Sequence, residues 1–136
     1  VKDERGSITL WVLGLVLMVM ALGGLSLDLW RGVEARKGVA AVADAAAIAG
    51  ASGIDEAAWR DGELTLDPFR ARALAERMIL AEPDAAKLRW QIDVTPAAIT
   101  VTVERDVDLT LLRIMTPSDD PLVVRVSATA RPQVSG

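Results

Sequence analysis

The sequence predicts an α+β chain: a long N-terminal transmembrane helix that extends into a small domain, where an antiparallel sheet of about three strands packs on helix. Three observations predict it. An unbroken apolar run lies near the N-terminus, an alanine-rich stretch without proline follows it, and beyond residue 88 the hydrophobic period falls from helical to two. The expected divisions are residues 1–27 for the flank and transmembrane helix, 28–53 for the alanine-rich helical extension, and 54–136 for a small α+β extracytoplasmic domain.

From Gly6 to Leu27 the chain reads GSITLWVLGLVLMVMALGGLSL, with no charged residue. A helix needs about 20 such residues to cross a hydrocarbon core of about 30 Å. Lys2 and Arg5 bound the run on one side, Asp28 and Arg31 on the other. Trp11 and Trp30 lie near its ends, where an amphipathic ring suits the interface. A buried core helix is the plainer reading, but the remaining residues are too few to surround one this apolar. A cleaved secretory signal is the other rival, with Ala21, Leu22 and Gly23 as its small-residue cleavage site. Against it, the apolar run continues past that site through Leu25, Leu27 and Leu29. Flanking charge does not fix orientation: Lys2 and Arg5 precede the run, Arg31, Arg36 and Lys37 follow it closely, and the raw count leans towards the wrong side for an exported domain.

The helix has no reason to stop at the membrane. No proline occurs before Pro68, and the stretch LWRGVEARKGVAAVADAAAIAGA is rich in the best helix former. Asp28 with Arg31 and Glu34 with Lys37 are opposite charges three apart, placed to meet on the helix surface. Gly50 and Gly53 offer a C-terminal stop, while Gly23, Gly24 and Gly38 are the expected points of bending. Ala41, Ala45 and Ala49 repeat at intervals of four, and small residues so spaced let another backbone approach. That face packs either on the chain's own domain or on a partner helix. Asp28 at the end of the apolar run reads as an interfacial residue paired with Arg31, or as a contact to a neighbouring helix during assembly. Asp44 stands in the alanine-rich face with no opposite charge three or four positions away.

Residues 54–66 read as irregular, with a helical turn within Ile54 to Arg60. Asp67 and Pro68 then form an N-cap followed by proline at the first helical position. The helix they open runs to about Ala81, presenting Phe69, Ala73, Leu74 and Met78 or Ile79 on one side, and Pro83 ends it. From Leu88 to Val94 apolar and polar residues alternate; after a turn at Thr95, Pro96 and Ala97, Ile99, Val101 and Val103 alternate with Thr100, Thr102 and Glu104. These make a hairpin with one apolar face. A third strand covers Leu122 to Ala130, with Arg125, Ser127, Thr129 and Arg131 on its wetter side, and Asp108 to Met115 suits a short helix.

Composition narrows the chemistry. There is no cysteine, histidine or tyrosine, so thiol nucleophiles, thiolate metal sites and the commonest general base are absent. The formal net charge is -4, and the four charges of residues 1–27 cancel, so the excess falls on the rest of the chain. An acidic domain repels phosphate backbones, which disfavours nucleic acid. No phosphate-binding glycine motif occurs. Asp61 and Gly62 resemble the centre of a calcium loop, but the preceding ligand positions would be Ala57 and Trp59. Asp106 with Asp108 and Asp119 with Asp120 read as turn residues flanking strands rather than paired catalytic carboxylates. No catalytic residue, cofactor, metal or small-molecule substrate is expected.

Arg5 and Gly6 before the span, the small-and-apolar run after them, Leu27, Asp28 and Leu29 at its exit, and above all ADAAAIAGA at 43–51 carry a family resemblance. The N-terminal segment resembles that of Tad-type (tight adherence, Flp) pilus-assembly proteins of the TadG/TadE-like minor pilin kind. The resemblance implies a processing site at Arg5, Gly6 and Ser7, cut after Gly6. Pilin-like members carry a glutamate at the fifth residue after the cut, where this chain has Trp11. Without that buried charge, an accessory assembly role is expected rather than a major subunit.

The resulting expectation is a single-pass membrane protein, N-terminus cytoplasmic, serving a Tad/Flp-type pilus or secretion machine and acting by helix packing and domain docking. Its partners would be the membrane and other pilus-assembly or pilin-like membrane proteins, with Asp28, Ala41, Asp44, Ala45 and Ala49 as the assembly residues. The alternative is a membrane-tethered binding or sensor domain unrelated to pili.

Overall fold

The computed structural model describes residues 4–108 and 121–133. Its first element, α1, is a single helix over Glu4–Ala51, about 72 Å long at 1.5 Å per residue. It continues unbroken through Gly23, Gly24 and Gly38. After it come α2 (Glu56–Arg60), α3 (Pro68–Leu80), a 3-10 turn at Ala85–Lys87, and three strands: β1 (Leu88–Thr95), β2 (Ala98–Val107) and β3 (Leu122–Ala130). The strands form one antiparallel sheet in the order β1-β2-β3. The architecture is the α+β one that the change of period predicts.

The hairpin turn sets the register. Thr95 pairs with Ala98, so Pro96 and Ala97 are the two turn residues. The Thr95 hydroxyl donates to the Ala98 carbonyl at 3.0 Å and accepts from its N–H at 3.1 Å. Counting back from this turn places Val101 opposite Ile92 and Val103 opposite Trp90. Ile99, Val101 and Val103 are fully buried, and Thr100, Thr102 and Glu104 point the other way.

The core lies between this apolar sheet face, α3 and the membrane-distal part of α1. Val39, Ala43, Ala46, Ala47 and Gly50 follow one another at helical spacing and are buried. On α3 the buried residues are Ala71, Ala75 and Ile79. The face expected from the larger side chains is therefore corrected: Phe69 is 88% exposed, Ala73 and Met78 are exposed, and Leu74 is half-buried. The reason is the closeness of the two helices. A Cβ on Gly53 would lie 2.7 Å from the Ala71 Cα and N, and one on Gly50 would lie 3.0 Å from the Ala71 carbonyl. Only small residues fit such a crossing.

The glycines at the end of α1 therefore serve by lacking a side chain. Among the described residues the positive-φ glycine is Gly62, which follows the Asp61 C-cap of α2. The segment 54–66 is held at both ends, by a bridge between Ile54 and Leu66 and by an Asp55 N–H bond to the Thr65 carbonyl. Asp67 caps α3 as expected, its carboxylate accepting from the Phe69 and Arg70 N–H groups at 2.9 and 3.1 Å. The short helix expected within Asp108 to Met115 lies outside the described residues after Asp108, as do Asp119 and Asp120.

Candidate functional site: the anchor helix and its exposed face

From Ser7 to Gly23 every side chain of α1 is exposed, Leu10 at 71% and Trp11 at 79% among them. Within the described residues this is the one helix long and apolar enough to cross a membrane. An apolar cylinder left bare by its own fold finds its solvent in lipid. That helix suggests single-pass membrane anchoring. Gly6 and Ser7 of the expected processing site, with Arg5 before them, occupy the first turns of α1, and the Ser7 side chain is exposed.

Asp28 is placed differently from a solvated interfacial residue. It is 2% exposed, and Arg31 reaches its carboxylate at 3.7 Å, one turn further along. The chain itself supplies that burial. The companion pair expected between Glu34 and Lys37 is not formed among the described residues, where both side chains are exposed.

The alanine stripe sits at the margin of the core. Ala41 is exposed, whereas Ala45 and Ala49 are half-buried, so the domain takes up the neighbouring line Ala43, Ala46 and Ala47 instead. Asp44 is exposed, and so is Ile48 at 68%. Glu34, Lys37, Ala41, Asp44 and Ile48 thus make a continuous outward face one helical turn apart. The sequence reading missed Ile48 as part of it. The signal was present, since Ile48 lies one turn beyond Asp44 and opposite the buried line that begins at Val39.

The outer face of the sheet is a polar lattice. Arg89 donates to both Asp106 oxygens at 2.8 Å, and Arg125 bridges to Glu104 at 2.6 Å. Towards the other end, Thr102 pairs with Ser127 at 2.8 Å and Thr100 with Thr129 at 2.9 Å. The hydrogen bond from Arg89 holds the Asp106 carboxyl below its ordinary range, and the same contact raises the Arg89 guanidinium. Asp106 thus lies within a strand, as a structural ion-pair partner rather than a turn residue. Among the described residues no three carboxylates come together as a metal would require.

No curated protein and no solved structure matches this chain. Residues 6–53 match the family model of Tad, the TadE/G-like Flp pilus-assembly family. The matched stretch begins where the uncharged run begins and ends just past α1, at the glycine that packs on Ala71. Over residues 6–53 the chain is thus similar to the TadE/G-like Flp pilus-assembly family, and that similarity supports involvement in pilus assembly.

Proposed function

We propose that the chain is an accessory or minor pilin-like component of a Tad/Flp-type machine, anchored by α1 with its sheet domain outside the cytoplasm. One observation carries the reading. The segment that matches the assembly family is a single helix whose N-terminal half is bare and whose C-terminal half is the spine of a folded domain. Such a helix couples a membrane position to a domain position without a flexible joint. In this reading the outward face of α1, with Ala41, Asp44 and Ile48, receives a partner helix, and the sheet domain docks on neighbouring components. The composition, without histidine or cysteine, suits an assembly role better than catalysis.

Ala41 gives the cleanest test, because it is exposed, whereas Ala45 and Ala49 are half-buried and a bulky replacement there also disturbs the domain. Ala41→Trp is expected to leave insertion and thermal unfolding unchanged while abolishing pilus assembly in cells that depend on this chain. Normal assembly with Ala41→Trp would remove the helix-packing mechanism. Processing is tested by the mass and terminal sequence of the protein from its native membranes: a start at Ser7 supports the minor-pilin form, and an uncut chain supports the accessory form.

A further inference from the structure

We propose that α1 pairs with α1 of a second copy of this chain, parallel and in register, along the exposed line Trp30, Glu34, Lys37, Ala41, Asp44 and Ile48. This pairing rests on the reading of the outward face of α1 as a helix-packing surface, and it deepens that reading by naming the partner. Nine residues make about two and a half turns of helix, so positions nine apart lie on opposite sides. Trp30, Glu34, Lys37 and Ala41 are exposed, and nine residues beyond them Val39, Ala43, Ala46 and Gly50 are buried. The domain core thus lies diametrically across α1 from the line. From Trp30 to Ile48, about 27 Å at 1.5 Å per residue, a second helix can lie against α1 without displacing the core.

The bilayer sets the register. Two copies held by the same span in one membrane run parallel at the same depth. Each residue of the line then faces its own counterpart and the residues three or four positions to either side of it. Charge selects the occupant at that register. Glu34 and Lys37 are opposite charges three apart, both exposed, and neither forms an ion pair among the described residues. In a parallel pair Glu34 of each copy comes beside Lys37 of the other, so the contact is satisfied twice by symmetry. Ala41, the next residue of the line, is small enough to let the helices close. Trp30 and Ile48, both exposed, cover their counterparts at the two ends. Asp44 is the exception: it meets its own counterpart, and like charges so placed repel.

The chain has no cysteine, so one introduced thiol reports the approach of two copies. Full-length chains with Ala41→Cys or Arg36→Cys would be purified, placed in phosphatidylcholine vesicles and oxidised with copper phenanthroline. Both positions are exposed, but Arg36 lies off the line. Ala41→Cys is expected to give several-fold more disulfide-linked dimer than Arg36→Cys. With Ala41→Cys present, Glu34→Lys and Lys37→Glu should each lower linking about threefold, the scale of two exposed ion pairs. Mixing those two chains in the same vesicles should restore linking, because every facing charge is then opposite. Asp44→Asn should raise it above the parent. All three side chains are exposed, so these substitutions leave the domain core untouched. Equal linking at Ala41 and Arg36, or a mixture that links no better than its separate chains, overturns the pairing. Linking that Asp44→Asn does not raise overturns the in-register facing. Should self-pairing fail while Ala41→Trp still abolishes pilus assembly, the packing face stands and another protein fills it. Should Ala41→Trp also assemble normally, both readings fall.

Discussion

Gly53 shows how far a single atom matters in this chain. Its φ is ordinary, so an L side chain is permitted by the backbone, yet the place a Cβ would occupy is 2.7 Å from backbone atoms of Ala71. Backbone cannot rotate away as a side-chain tip can, so α1 and α3 would have to separate. Gly53→Ala is expected to destabilise the domain by about 1–3 kcal/mol, the usual cost of overpacking, and more than Gly32→Ala, where the added Cβ meets nothing. Thermal unfolding of the two variants in detergent, followed by near-ultraviolet circular dichroism, makes the comparison. Equal melting temperatures would mean that the helix crossing is looser than the contacts imply. Asp106 gives a second residue-scale prediction. Its carboxyl is held low by Arg89, so the pair contributes stability above the unfolded-state pKa, and that contribution is lost as pH falls through the lower folded value. A carbon-13 titration should find Asp106 below a free aspartate, and Arg89→Gln should move it up. The groups are exposed, so the accompanying change in stability is small.

Among the elements, α3 depends most on its ends. Asp67 satisfies two of its free N–H groups and Pro68 needs none satisfied, so initiation is fixed by two adjacent residues. Asp67→Ala is expected to cost about 1 kcal/mol, and Asp67→Asn much less, measured by the same unfolding experiment. An alanine variant as stable as the parent would show that tertiary packing alone holds the first turn. The cap was legible in the sequence because capping is local chemistry. So were the strands, since a sheet buried on one face alternates whatever it packs against. The buried face of α3 was not legible: Ala71 and Ala75 face the core because the crossing is close, and alanine carries too weak a hydrophobic signal to say so. The Arg89–Asp106 contact was recoverable only in part. The two-residue turn at Pro96 and Ala97 places Arg89 opposite Glu104, and Asp106 is the diagonal neighbour two residues on. The burial of Asp28 was beyond local reasoning, because its helix neighbours Leu27 and Leu29 are both exposed.

For the whole molecule, what matters is that one helix is both anchor and spine. Were the joint between them flexible, a contact at Ala41 or Ile48 would say little about where the span lies. An unbroken α1 makes the two positions mutually determined, which is the mechanical premise of the assembly role proposed above. The premise is measurable in the cysteine-free chain. Nitroxides at Val16→Cys and Ile48→Cys, both exposed positions, are separated by 32 residues of helix. They should give one narrow dipolar distance near 48 Å, roughly 1.5 Å per residue. Gly32→Pro removes an intrahelical hydrogen bond and drives the proline ring into the carbonyl four residues before it, which kinks a helix at about 3 kcal/mol or more. The position lies between buried Asp28 and the hydrophobic core that begins at Val39, so the distance should shorten and broaden, and the seating of Asp28 is disturbed with it. Gly32→Ala, by contrast, favours the helix by about 1 kcal/mol and should leave the distance untouched. Pilus assembly should then follow the distance, retained with alanine and lost with proline. Assembly retained in the kinked chain would separate anchoring from docking, and the two halves of α1 would have to be treated as independent parts.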